Sequence, residues 1–243
     1  DSHAASSLAV WEIIQKSSNV GSSKIALLMQ PQTLWQMFDE VGFGRPPQSG
    51  FPGEASGRVR PYKTWKPIEQ ATMSYGHGIS LSLMQLARAY TIFTNDGELK
   101  PVSFMRLDQP LPGKQVIRPD TARKMRDMLM TVTQPGGTAP RAQVLGFTVG
   151  GKTGTAHKQE GRGYAASKYI SSFVGFAPAT RPRLIVAVMI DEPQGQYYGG
   201  TVAGPVFSAV MSGSLRILGV EPDAPTNNTL IPLDNLPEVR EET

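Results

Sequence analysis

Apolar residues recur at helical spacing over roughly the first half of the chain and at strand spacing after position 147, and that switch divides it. Ser7 to Gln15 predicts a short amphipathic helix capped by Ser7 and broken at Lys16-Ser17-Ser18-Asn19. A second helix is expected over Ser22 to Met29. Pro31 and Thr33 open a third, with Leu34, Met37, Phe38 and Val41 on one face and Gly42 at its end. Residues 44–66, rich in Gly, Pro, Ser and Arg, read as an irregular surface excursion. Ser82 stands three residues before Gln85, the spacing of a capping box, and Leu83, Leu86, Ala87, Tyr90 and Phe93 follow at helical intervals until Asn95-Asp96-Gly97. Pro119-Asp120 starts another helix, running to about Thr133. Its Met125, Met128, Leu129 and Val132 lie on one face, where methionine serves as core filling.

Beyond Gln134-Pro135-Gly136-Gly137 the pattern changes. Phe147–Thr155, Ile170–Ala177 and Leu184–Asp191 read as three successive strands, with Ala179-Thr180-Arg181-Pro182 as the tighter connection. Connections this short favour antiparallel neighbours, because a parallel pair needs a crossover. A last helix is expected from Val202 to Leu218, and Pro222 onward reads as a loosely ordered tail. Helices, then a meander, then a closing helix make an α+β fold, an antiparallel sheet flanked by helices.

Composition narrows the function classes. With 40% apolar and 18% charged residues the chain is globular, and its longest apolar run, Leu184 to Ile190, is far too short to cross a bilayer. Residues 221–243 hold six acids against one base, so the formal +4 of the whole chain leaves residues 1–220 at +9. Such a body favours an anionic partner: a substrate carboxylate, a phosphate, anionic lipid or nucleic acid. No arginine-rich run with interleaved aromatics is present, which argues against nucleic acid. Cysteine is absent, and His3, His77 and His157 are scattered, so neither a metal centre nor another cofactor is expected.

The candidate chemistry centres on Gly146-Phe147-Thr148-Val149-Gly150-Gly151-Lys152-Thr153-Gly154-Thr155, which admits two readings. Gly146, Gly151, Lys152 and Thr153 match the phosphate-loop pattern G-x-x-x-x-G-K-[ST], and Leu184–Asp191 imitates the apolar strand whose terminal acid holds magnesium. A phosphate loop, however, needs a helix launched at the Lys-Thr pair to complete the anion cradle. Here Gly154 follows, and Lys158-Gln159-Glu160-Gly161-Arg162-Gly163 has no apolar face. Alternatively, Lys152-Thr153-Gly154 is the third element of the serine acyl-transfer set S-x-x-K, S-x-N and K-T-G. On an edge strand Lys152 sets an ammonium beside the reacting centre. Thr153 and Thr155 share one side and offer hydroxyls to a substrate carboxylate. Gly154 lets an extended peptide lie close, and the Thr155 N–H faces an oxyanion. Ser17-Ser18-Asn19 then supplies the second element: Ser17 relays a proton to the leaving amine, and Asn19 holds a substrate carbonyl or a catalytic lysine. Read blandly, the same triplet is an interhelical turn with Asn19 as a cap.

Lys16-Ser17-Ser18-Asn19-Val20-Gly21, Ser49-Gly50-Phe51-Pro52-Gly53-Glu54, Gln70-Ala71-Thr72-Met73-Ser74-Tyr75-Gly76, Gln85-Leu86-Ala87-Arg88-Ala89-Tyr90, Gly151–Ala156 and Tyr197-Tyr198-Gly199-Gly200 together resemble the class B penicillin-binding proteins, the septal, division-specific D,D-transpeptidases in particular. The resemblance implies cross-linking of peptidoglycan stem peptides ending in D-Ala-D-Ala, inhibition by β-lactam antibiotics, and divisome membrane proteins as partners. It further implies a periplasmic position, tethered to the inner membrane by an anchor outside this chain. By the same resemblance Ser17 and Asn19 are the S-x-N pair and Lys152, Thr153, Gly154 and Thr155 the K-T-G-T strand, while Tyr169, Tyr197 and Tyr198 wall the pocket or pack as ordinary half-buried tyrosines. One element departs from the family: no Ser-x-x-Lys occurs anywhere in the chain. The expectation is therefore that residues 1–220 are the C-terminal part of a transpeptidase domain whose N-terminal part, with the acylated serine, lies upstream. Residues 221–243 are then an acidic tail. A β-lactamase or β-lactam sensor with the same triad stays open at this point.

Overall fold

The computed structural model describes residues 1, 5–160 and 163–225, which cluster into two compact units. His3 and the tail acids from Asp234 onward lie outside the described residues. The first unit is Asp1 with Ser18–Arg123, and the second is Ser2–Ser17 with Lys124–Thr243.

In the first unit, α2 (Asn19–Leu27), α3 (Pro31–Glu40), α4 (Pro67–Met73), α5 (Leu83–Ala89) and α6 (Thr91–Thr94) follow one another, with a 3-10 turn at Tyr62–Thr64. The second helix begins three residues earlier than expected. Ser18 is the reason: its Oγ accepts from the Gly21 N–H at 2.9 Å, satisfying a donor that an uncapped helix end leaves bare. Ser82 and Gln85 form the anticipated box, Ser82 N–H donating to Gln85 Oε1 at 2.8 Å and Gln85 N–H to Ser82 Oγ at 3.2 Å. Gln85 is itself buried, and its amide also donates to Arg45 and Ser56 carbonyls at 2.9 and 2.8 Å, so one residue starts a helix and pins the irregular stretch 44–66. Pro67–Met73 was not expected as a helix. A two-residue ribbon of β1 (Glu98–Leu99) and β2 (Lys114–Gln115) was not expected either; it lies next to the small core of Val41, Ala89, Ile92 and Leu99.

The second unit holds α1 (Val10–Lys16), the part of α7 (Pro119–Thr131) from Lys124 on, and the strands β3 (Gly150–Glu160), β4 (Gly163–Ala177) and β5 (Leu184–Asp191), closed by α8 (Gly199–Ile217). Ser7 does not cap α1. The helix starts after Ala9, whose N–H donates to the Glu12 carboxylate at 2.7 Å, the acid's half of a capping box for which Ala9 has no hydroxyl to supply the other half. The sheet order is β3-β4-β5, antiparallel throughout, so β3 is an edge strand among the described residues. The strand begins at Gly150 instead of Phe147, because Val144 and Phe147 pair with each other in a turn before it. Its partner register, Gly150↔Phe176 to His157↔Tyr169, continues past a bulge to Glu160↔Gly163.

Phe173, Phe207, Met211, Leu215 and Val132 are fully buried in the core between this sheet and α8. The Phe173 and Phe207 rings meet edge to face at 4.7 Å, the favoured arrangement for two quadrupoles. The helix starts at Gly199, three residues before the position its apolar pattern suggests, since glycine alone permits the contact made there. A Cβ on Gly199 would stand 2.4 Å from the Ser172 carbonyl oxygen and 2.7 Å from that of Gly154. The chain after Val220 is not loose at its start. Asp223 accepts from Thr148 N–H at 2.7 Å and from the Thr148 and Thr180 hydroxyls at 2.5 Å each, while the Asp223 and Ala224 N–H groups both donate to Gly146 O at 3.1 Å.

Candidate active site

The glycine-rich stretch is a strand at its Lys-Thr-Gly run, and no helix starts at Thr153. The phosphate-loop reading has no cradle here. The strand reading has one immediate consequence. Lys152 Nζ donates to Ser17 Oγ at 2.6 Å, across 135 positions of sequence, and reaches the Thr153 carbonyl at 3.3 Å and the Thr153 hydroxyl at 3.4 Å. Ser17 is delivered by the end of α1. Its backbone is left-handed, φ 56° and ψ 43°, and its N–H is taken by the Ile13 and Ile14 carbonyls, a conformation serine adopts only at a cost of order 1 kcal/mol.

Thr153 is buried, and its hydroxyl lies 3.0 Å from that of Thr138, also buried. Thr138 therefore completes a line of polar atoms, Thr138–Thr153–Lys152–Ser17. Sequence reasoning missed it, and the only signal was its position just after Gly136-Gly137. Thr155 Oγ1 accepts from Gly199 N–H at 2.9 Å, binding the K-T-G-T strand to the first residue of α8. Gly154 has a reason internal to the protein: a Cβ there would stand 2.5 Å from Ser172 Oγ, which donates to the Gly154 carbonyl at 3.3 Å.

Past Thr155 the strand meets an aromatic stack. Tyr169 and Tyr197 lie parallel, 4.0 Å apart with 10° between planes, and Tyr197 and Tyr198 follow at 4.6 Å. The segment is held because Ser171 Oγ donates to the Tyr197 carbonyl. His157, directly across the ladder from Tyr169, adds a fourth ring at 4.4 Å, a position that its isolation in sequence did not suggest. Burial raises the Tyr169 phenol above its ordinary range, and the neighbouring Tyr197 adds to the shift. On the adjacent position Lys158 donates to Asp191 and Glu192 at 2.8 Å each, and those two bonds lift its ammonium to about 12.

Of the expected residues, the structure brings Ser17, Lys152 and Thr153 together, joins Thr155 to the start of α8, and gathers Tyr169, Tyr197 and Tyr198 into one stack. Asn19 belongs to the first unit, as the first residue of α2; Ser18, not Asn19, is the cap. Ser18 Oγ in turn donates to the Asp1 carboxylate, which also accepts from Val20 N–H at 3.0 Å. Among the described residues no cluster of His, Asp or Glu has the makings of a metal site, and no helix is long and apolar enough to cross a membrane.

Residues 3–212 match the family described as the penicillin binding protein transpeptidase domain. The chain is 52% identical over 230 residues to the probable peptidoglycan D,D-transpeptidase PenA of Neisseria flavescens, covering 94% of this chain and 58% of that protein. With the peptidoglycan D,D-transpeptidase FtsI of Escherichia coli K12 it shares 40% identity over 222 residues, 91% of this chain and 38% of the relative. Among solved structures, the apo transpeptidase domain of Burkholderia pseudomallei penicillin-binding protein 3 superposes with a TM-score of 0.86 at 54% identity, covering 90% of this chain and 67% of that one. The chain thus spans little more than half the length of the first of these relatives and well under half of the second.

Proposed function

The chain belongs to the penicillin binding protein transpeptidase family, and from that premise we propose that it is the C-terminal part, residues 1–220, of a peptidoglycan D,D-transpeptidase domain serving septal wall synthesis. The observation that carries the reading is the 2.6 Å bond from Lys152 Nζ to Ser17 Oγ on an edge strand. The substrate is a stem peptide ending in D-Ala-D-Ala. Its terminal carboxylate is held by the Lys152 ammonium and the Thr153 and Thr155 hydroxyls. A serine of the Ser-x-x-Lys element, absent from these residues and assigned to the rest of the protein, attacks the penultimate carbonyl. The lysine of that element takes the serine's hydroxyl proton, the new C–O bond forms and the C–N bond breaks, and the same proton reaches the departing amine of D-alanine through Ser17, while Lys152 stays charged and holds the Ser17 hydroxyl in place. An amine from a neighbouring strand then resolves the ester. Asn19 orients the substrate carbonyl or the lysine of that element. Tyr169, Tyr197 and Tyr198 wall the site.

β-Lactams enter as mimics of the same terminus. The protein acts on the periplasmic side of the inner membrane, held by an anchor outside this chain, among divisome membrane proteins. Fluorescent penicillin offered to the full-length protein labels it covalently, and Lys152→Ala reduces the labelling rate by at least a hundredfold, the scale of losing one charged group at a reacting centre. Absence of labelling in the unaltered protein overturns the proposal. Rapid turnover of a chromogenic cephalosporin, in place of a trapped ester, replaces it with a β-lactamase.

A further inference from the structure

The β3–β4 ladder changes register between His157 and Gln159, so Lys158 sits at the bulge, outside the paired positions. A bulge re-aims the side chain it carries. The Lys158 ammonium reaches past β4 to the end of β5, donating at 2.8 Å to Asp191, the last residue of that strand, and at 2.8 Å to Glu192, which follows it. Glu192 is left-handed, with φ 52°, a conformation that a residue bearing a side chain keeps only where its surroundings hold it there. Its N–H donates to the Tyr169 carbonyl at 2.9 Å, one step beyond the last β4–β5 pair, Ile170↔Asp191.

Tyr169 is thus placed where both regular ladders stop, paired with His157 on one side and tied to Glu192 on the other. The two stacked tyrosines have separate anchors. Ser171 Oγ holds the Tyr197 carbonyl, whereas the Tyr169 backbone depends on Glu192, and Glu192 on Lys158. An isolated surface ion pair is worth little, and Lys158, Asp191 and Glu192 are 32%, 49% and 40% exposed. This one differs because a single ammonium lies between two carboxylates at consecutive positions, which repel each other once it is removed. We propose that Lys158 is a positioning residue: by clamping the end of β5 across β4 it fixes Tyr169, and with it the plane that Tyr169 shares with Tyr197. The proposal rests on the transpeptidase reading, in which these rings wall the site, and adds a residue that does not itself meet the substrate.

The test uses the full-length protein with its Lys158→Met and Lys158→Arg variants. Acylation is followed against concentration for benzylpenicillin, which carries an aromatic acyl group, and for 6-aminopenicillanic acid, which carries none. Each titration yields a half-saturating concentration and a maximal rate. Lys158→Met raises the half-saturating concentration of benzylpenicillin about fivefold, the scale of one misplaced aromatic contact, and leaves its maximal rate within about twofold. Both values for the bare nucleus stay within about twofold. Near-ultraviolet circular dichroism of Lys158→Met loses part of the tyrosine signal, as the stacked pair opens. Lys158→Arg keeps the charge and stays within about twofold of the unaltered protein on every measure. An unchanged half-saturating concentration in Lys158→Met, an equal loss for benzylpenicillin and the bare nucleus, or a Lys158→Arg variant as impaired as Lys158→Met overturns the assignment. No acylation of the unaltered protein overturns the transpeptidase reading beneath it.

Discussion

Replacing Thr138 by Val probes the buried end of the polar line behind Lys152. Valine matches threonine in shape and removes only the hydroxyl. Thr138 and Thr153 are 4% and 8% exposed, so no bulk water takes over the 3.0 Å contact. Thr153 then keeps one polar neighbour, the Lys152 ammonium at 3.4 Å, which is a donor and cannot accept the Thr153 proton. A buried donor left unmet costs about 1–3 kcal/mol, and partial relief requires Thr153 to rotate away from Lys152. We expect a loss of about 1–2 kcal/mol, read as a melting temperature lower by roughly 2–8 °C. Penicillin acylation of the full-length protein should fall about tenfold, because the ammonium loses a fixed neighbour. Thr138→Ser keeps the hydroxyl and stays near the unaltered protein in acylation. The decisive form is the cycle of Thr138→Val, Thr153→Val and the double variant. Two apolar groups facing each other are cheaper than one orphaned hydroxyl, so the double variant costs less than the sum by about 1 kcal/mol. Additivity within about 0.3 kcal/mol refutes the coupling.

Gly199→Ala forces a methyl against two carbonyl oxygens, at 2.4 and 2.7 Å, and is expected to destabilise by about 1–3 kcal/mol and slow acylation, because Thr155 and the start of α8 must part; thermal melting together with penicillin labelling checks both. Phe207→Ala empties the centre of the core under the sheet and costs about 3–5 kcal/mol in denaturant unfolding, with a value under 1 kcal/mol contradicting the packing described. The phenols of Tyr90 and Tyr169 are raised, both chiefly by burial. A group whose folded value is raised contributes stability that is complete below its ordinary value near 10 and is lost as pH climbs through the folded value. Absorbance at 295 nm should therefore show a late-titrating component that Tyr90→Phe and Tyr169→Phe each reduce, and stability should decline above about pH 10.

The helices legible in the sequence were those whose ends are written in local chemistry. Ser82 and Gln85 satisfy each other's backbone within four residues, and Gly42 and Gly97 take the left-handed turns that stop their helices. Pro67–Met73 escaped notice because seven residues hold too little periodicity. What fixes it is distant: Gln70 donates its amide to the Ala26 and Met29 carbonyls at 2.8 and 2.9 Å, a bond no local pattern announces. The ribbon of Glu98–Leu99 with Lys114–Gln115 failed for the same reason, since two residues cannot display an alternation. The start of α8 was misplaced because its first residues are glycines, chosen for the closeness of two strands' carbonyls and not for helix propensity.

The candidate site divides along the same line. Residue types at fixed spacing, Ser17 with Asn19 and Lys152 to Thr155, were readable because the chemistry demands them in that order. Thr138 and His157 were not, because each acquires its place from distant parts of the chain and not from local spacing. One faces Thr153 across a fold of chain, and the other faces Tyr169 only in the register that pairs Gly150 with Phe176. Register also revises Gly154. The sequence argument left its bare α-carbon open for a ligand, but β4 places Ser172 Oγ where a Cβ would go. Gly154→Ala must therefore turn the Ser172 hydroxyl away from the Gly154 carbonyl before any substrate arrives. If that variant lost peptide binding while its melting temperature and β3 amide exchange stayed unchanged, the glycine would serve the groove alone. If both moved together, the strand's own packing sets the residue, and the groove inherits a surface already fixed by the sheet.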